Sequence, residues 1–254
     1  MPVHSVAKGN VFWITIDNQK RKNAISEPMY SEICSAMDEA NENDDIIFTV
    51  LTGAGDFYSS GNDFSPSEDH GLGKQSDPDF EGGYSRWMKR LIAHTKIIIA
   101  LVNGPAIGIA CTTLAMCDYV VCSSSAYFQT PFPMIGVTPE GGSSDTFPKI
   151  MGTSNANELL LFGMKMDAET ALRRGFVSQV FPKEQFKAKT EEMLANFSKL
   201  PKHSLLASKE LVRGRPWRKE RLAVHMEEFN VLQKIIVSEE SMNLIMNRFA
   251  KSKM

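Results

Sequence analysis

The segment NGPAIGIA (residues 103–110) directly follows the apolar run KIIIALV (96–102). That run has the length and β-branched composition of a buried strand, and the glycines and proline after it are typical of a tight turn. Two other segments have the same form: FYSSGND (57–63) comes after another apolar run, and TPFPMIGVTPEGG (130–142) comes after a short strand predicted at 119–122. Loops that follow parallel strands meet at one edge of an open α/β sheet, where ligands bind. The sequence therefore predicts three loops facing one ligand site.

Strands and helices alternate along most of the chain. The pattern predicts strands at 11–16, 46–51, 96–102, 119–122 and 176–181, and helices from Ser26, at 84–94, at 106–116, near Ser143, after Asp167, at 184–199 and at 204–251. This alternation implies right-handed crossovers and a sheet covered by helices. We expect one functional domain, made of an α/β core over residues 1–200 and a helical region over 201–254. Residues 65–83, rich in Ser, Asp, Gly and Pro, are interpreted as a mobile loop that can cover a site.

Composition excludes several classes of protein. With 28 basic and 30 acidic residues the net charge is -2, so a nucleic-acid partner is not expected. No uninterrupted apolar stretch is long enough to span a membrane, and the five histidines show no metal-ligand spacing, so we expect neither a membrane partner nor a metal. The four cysteines contain no CxxC pair and are expected to be reduced thiols in an intracellular compartment. Basic residues cluster after Lys202; they form either a solvated helix face or contacts to an anionic ligand such as the phosphates of coenzyme A.

Glu140 is the most conspicuous candidate for chemistry. The sequence has no GxSxG, no GxxxxGK[ST] and no complete GxGxxG, so serine hydrolase, P-loop and dinucleotide sites are not predicted. Glu140 lies between Pro139 and Gly141 in a stretch almost without charge, which favours a desolvated general base with a raised pKa. A glutamate serving the dipole of a helix that begins near Ser143 is an equally good interpretation. The glycine-containing turns in the other two loops either present backbone N–H groups to a ligand or are ordinary tight turns.

Three motifs, taken together, resemble the crotonase (enoyl-CoA hydratase/isomerase) superfamily in order and spacing. They are SSGND (59–63), NGPAIGIACTTLAMCD (103–118) and PFPMIGVTPEGG (131–142). RKNAI (21–25) and DAETALRRGFVSQVF (167–181) extend the similarity over essentially the whole chain. Within the superfamily the sequence is most similar to peroxisomal delta-3, delta-2 enoyl-CoA isomerases, through FYSSGND, TPF, PEGGSS and TFPKIM.

The resemblance implies a fold and a site. The fold is an α/β crotonase-type spiral of ββα turns with a helical C-terminal trimerisation region, so a homotrimer is expected. The N–H groups of Asn62 and Ile109 would form an oxyanion hole for the thioester carbonyl, and Glu140 would be the base. The matching motifs also supply the expected substrate-binding residues: Ser59, Ser60, Gly61, Asn62, Asp63, Phe64, Gly108, Phe132 and Met134.

Two missing carboxylates indicate which reaction to expect. Hydratases of the superfamily use two glutamates, and the matching positions here hold Thr112 and Phe132. The resemblance therefore implies an isomerase that converts 3-enoyl-CoA to 2-trans-enoyl-CoA in β-oxidation of unsaturated fatty acids, with one base. No cofactor is expected, because coenzyme A is part of the acyl-CoA substrate. The alternatives are another crotonase-type reaction, hydration or thioester hydrolysis, and a non-catalytic acyl-CoA-binding module.

The last three residues, Ser252-Lys253-Met254, resemble the Ser-Lys-Leu peroxisomal address. They predict binding to the peroxisomal import receptor and a peroxisomal location, with mitochondrion and cytosol as alternatives.

Overall fold

A computed structural model describes residues 2–64 and 81–252, with side chains up to residue 247. Of the predicted loop at 65–83, residues 65–80 lie outside the described residues, and Gly83 already begins a helix. The strands of the described ranges are β1 Val3–Lys8, β2 Val11–Ile16, β3 Phe48–Gly53, β4 Ile97–Val102, β5 Ala106–Ile107, β6 Tyr119–Ser123, β7 Tyr127–Gln129, β8 Met166–Asp167 and β9 Gln179–Phe181. The α-helices are α1 Glu27–Glu42, α2 Gly83–Ala93, α3 Ile109–Thr112, α4 Ser143–Met151, α5 Thr153–Leu160, α6 Ala168–Arg173, α7 Phe186–Phe197, α8 Lys202–Arg213, α9 Arg215–Ile236 and α10 Glu239–Ser252.

The main sheet has the strand order β1-β2-β3-β4-β6-β9. All neighbouring pairs are parallel except β1 with β2, so the carboxyl ends of β2, β3, β4, β6 and β9 lie at one edge. A second, three-stranded sheet has the order β5-β7-β8. The α/β pattern read from the sequence is confirmed, and the loops after β3 and β4 leave the edge of the main sheet where ligands bind. The third loop, residues 130–142, follows β7 of the second sheet and not the strand at 119–122, because a further short strand lies between them.

Strand β4, inside the main sheet, is buried on both faces, and this explains its continuous apolar run. In β4, Ile98, Ala100 and Val102 pack into one core cluster, whereas Ile99 and Leu101 pack into the other. A strand buried on both faces shows no polar–apolar alternation, so such a strand is predicted from its length and from the turns that flank it.

Several elements differ from the predictions. The helix predicted at 106–116 is a two-residue strand, the short helix α3 and a 3-10 turn over Thr113–Met116, because Gly108 interrupts it with φ +59°. The strand predicted at 176–181 is confined to β9, and that at 46–51 begins at Phe48. The helical region predicted over 204–251 consists of three helices, with breaks at Gly214 and after Ile236. Strand β1 was overlooked because five of its six residues are exposed and its pattern is polar.

Four basic residues of the C-terminal region form ion pairs within the chain: Lys209, Arg213, Arg218 and Arg221. Lys209 and Arg213 both bind Asp118, at 2.8 and 3.2 Å. The buried Arg221 pairs with Asp145. These contacts favour a structural role over contacts to a phosphate.

The four cysteines are buried and free, as expected. Among the helices of the described residues, none has both the length and the apolar character needed to cross a membrane.

Candidate active site

The loops after β3 and β4 are held together by backbone contacts. The N–H of Ser59 donates to the carbonyl of Pro105 at 3.2 Å, and the N–H of Ile107 donates to the carbonyl of Ser59 at 3.0 Å. Gly61 has φ +89°, and a Cβ there would lie 2.7 Å from the carbonyl oxygen of Ile107. The two loops thus approach so closely that only glycine fits between them.

Buried hydrogen bonds of Asn23 and Ser59 fix the conformation of the loop after β3. Asn23, itself at φ +57°, donates its side-chain amide to the carbonyls of Ala54 and Phe57 at 2.8 and 2.7 Å. The Ser59 hydroxyl donates to the carbonyl of Asn23 at 2.7 Å and accepts from the N–H of Gly61. Ser59 is fully buried and does not border the cavity, so the structure gives it a role in the loop and no place against a ligand.

The N–H groups of Asn62 and Ile109 are available at the cavity. Both residues line it, and neither N–H donates a hydrogen bond to any of the described residues. Ile109 is the first residue of α3, where backbone donors have no partner within the helix. The Tyr30 hydroxyl donates to the side-chain oxygen of Asn62 and so fixes that residue from α1.

Glu140 lies on a tight turn that glycines make possible. Gly141 and Gly142 both have φ +72°, the region that favours glycine. A Cβ on Gly141 would lie 2.3 Å from the Thr112 hydroxyl oxygen. The turn therefore packs Glu140 directly beside α3, the helix that carries Ile109.

The carboxyl group of Glu140 is unusually poor in stabilising contacts. Its residue is 5% exposed, and the carboxylate accepts no hydrogen bond from the described residues. Burial, and secondarily the nearby Glu228 carboxylate, raise the pKa of Glu140 to about 8. The carboxylate that accepts hydrogen bonds at the start of α4 is that of Glu228, so Glu140 does not serve as the cap. The geometry favours the general-base interpretation over the helix-dipole one.

One cavity, open to the surface, brings these groups together. Besides Asn62, Ile109 and Glu140 it is bordered by the predicted residues Ser60, Gly61, Asp63, Phe64, Gly108 and Phe132. Met134 is 47% exposed and does not border the cavity, so the structure does not support it as a substrate contact. Asp63 is tied to Arg21 by an ion pair at 3.0 Å, which anchors the loop.

Several residues that border the cavity were not predicted from the sequence. The cavity is also bordered by Tyr30, Tyr84, Ile135, Val137, Leu232 and Ile236. Leu232 and Ile236 come from α9, far along the chain from the loops, and their apolar spacing looks like that of any packed helix. The Tyr84 hydroxyl is buried without a hydrogen-bond partner among the described residues. No group of three or more His, Cys, Asp or Glu that could hold a metal occurs in the described part of the chain.

Comparison with known proteins defines the class to which this fold and site belong. The family model described as "Enoyl-CoA hydratase/isomerase" matches residues 6–251, and the chain belongs to that family. The structure superposes with a TM-score of 0.88 on the enoyl-CoA hydratase/isomerase from Pseudoalteromonas atlantica T6c, at 29% identity, over 99% of this chain and 98% of that one. The crotonase fold read from the sequence is confirmed.

Individual relatives are named as isomerases. "Enoyl-CoA delta isomerase 2" of Homo sapiens is 43% identical over 92% of this chain and 59% of its own length. "Enoyl-CoA delta isomerase 3, peroxisomal" of Mus musculus is 38% identical over 95% of this chain and 77% of its own. The chain thus spans about three fifths of the length of the human relative. The expected similarity to enoyl-CoA isomerases is confirmed.

Proposed function

We propose that the protein is a delta-3, delta-2 enoyl-CoA isomerase that converts 3-enoyl-CoA esters to 2-trans-enoyl-CoA in β-oxidation of unsaturated fatty acids. The observation that carries the proposal is the isolation of Glu140. Three carboxylates border the cavity in the described structure: Asp63 pairs with Arg21, Glu27 pairs with Arg86, and Glu140 has no protein partner. A single free base opposite two unused N–H groups suits a 1,3-proton transfer next to a thioester.

In the proposed reaction the thioester oxygen accepts hydrogen bonds from the N–H groups of Asn62 and Ile109. Glu140 removes a proton from C2, and the two N–H groups stabilise the resulting dienolate; each such donor contributes roughly 100- to 1000-fold in rate. The protonated Glu140 then returns the proton to C4, and the double bond moves to C2–C3. The proton that leaves C2 is the one delivered to C4, so the reaction needs no cofactor.

Hydration is the second candidate, since the family includes hydratases. Adding water requires a positioned water molecule and two proton transfers. Thr112 is fully buried and packed against the Gly141 turn, and Phe132 is apolar, so neither position offers a second carboxylate. A non-catalytic acyl-CoA-binding module is disfavoured because keeping a carboxyl group buried without a partner is costly and gives no advantage in binding.

The test is to incubate the pure protein separately with a 3-enoyl-CoA and with a 2-trans-enoyl-CoA. We expect the first to gain the absorbance of the conjugated thioester, and the second to remain free of 3-hydroxyacyl-CoA and of released coenzyme A. Rapid hydration of the 2-enoyl-CoA would make the protein a hydratase, and thiol release would make it a thioesterase. Tight binding of both esters with neither converted would make it a binding module.

We also propose a homotrimer, through the helical C-terminal region, as the family resemblance implies. Apolar side chains exposed in this region, such as Leu211, Val212 and Met246, would be covered by such contacts. Sedimentation equilibrium at micromolar concentration should give three times the chain mass of 28.3 kDa, and a stable monomer would refute the trimer.

A peroxisomal location is proposed as well, supported by the name of the mouse relative. Of the predicted address Ser252-Lys253-Met254, Lys253 and Met254 lie outside the described residues. Deleting these three residues should leave activity intact and move a fluorescent fusion, tagged at its N-terminus, to the cytosol; an unchanged peroxisomal location would contradict the receptor-binding prediction.

A further inference from the structure

Glu228, near the middle of α9, reaches across to the turn that carries Glu140. Its two carboxylate oxygens accept hydrogen bonds from the N–H of Gly142 at 2.6 Å and from the N–H of Ser144 at 2.8 Å. The residue is 7% exposed. The contact is specific, because burying a charge without hydrogen-bond partners is strongly unfavourable. It joins two segments more than 80 residues apart in the sequence.

The contact fixes the segment in which Glu140 lies. The hydroxyl and N–H of Ser143 both donate to the backbone carbonyl of Glu140, at 2.7 and 3.3 Å. Glu228 therefore holds residues on each side of Ser143, and Ser143 in turn holds Glu140. The two successive glycines in this turn have access to many conformations, so an external restraint is needed to keep the base in one place.

We propose that Glu228 is a positioning residue for the base Glu140: it fixes the turn 140–144 and holds a negative charge beside the base, so that Glu140 is a stronger proton acceptor. This inference rests on the proposed isomerase function. Two N–H donors favour the ionised form of Glu228, whereas Glu140 has no donor, so Glu228 loses its proton at lower pH and already carries its charge when Glu140 ionises and becomes the base. Burial raises the pKa of Glu228, and the Ser144 and Gly142 donors oppose that rise. A stronger base is better matched to a weakly acidic C2 proton.

Other groups near Glu140 do not supply this charge. Tyr30 and Tyr84 are neutral because burial raises the pKa of both phenols. Burial lowers the pKa of His225, which packs against Tyr84, to about 4, so this imidazole is uncharged at neutral pH. Asp145, on α4, is neutralised by Arg221 and Lys149. Glu27 is neutralised by Arg86.

The experiment compares Glu228→Gln with Glu227→Gln, a matched change at the neighbouring, exposed position of α9. Glutamine has one acceptor oxygen, so it loses one hydrogen bond and the charge. For Glu228→Gln we expect kcat to fall about tenfold with KM nearly unchanged, and the acid limb of the kcat profile to move down by about one pH unit. Glu227→Gln should match the wild type in kcat and in the position of the acid limb.

The pKa of Glu140 itself is measured by ¹³C NMR of labelled glutamate carboxyl groups without substrate. The resonances are assigned with Glu140→Gln and Glu228→Gln.

The outcomes separate positioning from mere stability. If Glu228→Gln lowers the melting temperature and the rate but leaves the pKa of Glu140 unchanged, Glu228 is only a helix cap and the inference is wrong. Where Glu228→Gln does not fold, the resonance of Glu228 is assigned with Glu228→Asp instead, and the wild-type titration tests the proposal: Glu228 must ionise at lower pH than Glu140, and the reverse order overturns it. The NMR measurement needs no turnover, so a wild type that fails to isomerise 3-enoyl-CoA would refute the proposed function without affecting the test of the coupling.

Discussion

Glu140 lies in surroundings that oppose its ionisation, and this has a consequence for stability as well as for chemistry. Its pKa is about 8 in the folded protein against an ordinary value of 4.5. Between these two pH values the folded state binds more protons than the unfolded chain. The contribution of Glu140 to the free energy of unfolding therefore falls as pH rises from about 4.5 to about 8.

Replacing Glu140 with Gln should therefore stabilise the protein at high pH. Relative to the wild type, the free energy of unfolding of Glu140→Gln should increase between pH 5 and pH 8, by up to a few kcal/mol, because Gln carries no charge to desolvate. Urea denaturation at the two pH values measures this, with Glu184→Gln, an exposed site, as the control. If the difference from the wild type does not change with pH, Glu140 is not the buried, raised-pKa carboxyl described above.

Tyr30 is expected to matter through Asn62. Tyr30→Phe removes the hydroxyl that donates to the Asn62 side chain while keeping the ring, so the oxyanion donor loses a restraint. We expect kcat/KM to fall about tenfold, the equivalent of one hydrogen bond, with the fold intact by circular dichroism. The control is Tyr119→Phe: Tyr119 lies in β6, and its ring packs on Phe197. Equal values of kcat/KM for both variants would show that the hydrogen bond from Tyr30 is not needed to position Asn62.

At the scale of elements, the parts that the sequence predicted best are those in which local chemistry dictates local structure. The apolar run of β4 and the glycine turn after it predict a buried strand and a ligand loop without reference to the rest of the chain. Glu140 was identifiable for the same reason, since its neighbours in sequence are also its apolar neighbours in space. Leu232, Ile236 and Glu228 were not, because the packing of α9 brings the first two to the cavity and Glu228 to the turn after Glu140. Helix periodicity does not reveal which neighbour a helix face meets.

Helix α9 should influence which acyl chains are accepted. Leu232→Ala enlarges an apolar part of the cavity, so the ratio of kcat/KM for long over short 3-enoyl-CoA esters should rise about fourfold for each methylene that the enlarged cavity admits. The same change should lower the free energy of unfolding by about 2 to 5 kcal/mol. Val231→Ala, at an exposed position on the same helix, is the control for both measurements. An unchanged chain-length ratio would show that the acyl chain does not contact α9.

At the scale of the whole molecule, the α/β core and the C-terminal helices form the site jointly. The loops after β3 and β4 supply the N–H groups, the turn before α4 supplies the carboxylate, and α9 closes the cavity. The order and spacing of the motifs predicted this fold, because a family is defined by loops at fixed places on a common sheet. The division into residues 1–200 and 201–254 stays an interpretation, and the site's dependence on α9 argues that neither part binds the substrate alone.

The most direct test of the central claim is the turnover of a 3-enoyl-CoA by Glu140→Gln. Gln keeps the size of the side chain but cannot accept the C2 proton, so kcat should fall by at least about 100-fold while acyl-CoA binding, measured by calorimetry, is nearly unchanged. Glu140→Asp should be intermediate, because its carboxylate is one methylene too short to reach both C2 and C4. A Glu140→Gln protein that retains more than about a tenth of the wild-type kcat would show that the base lies elsewhere and would contradict the mechanism.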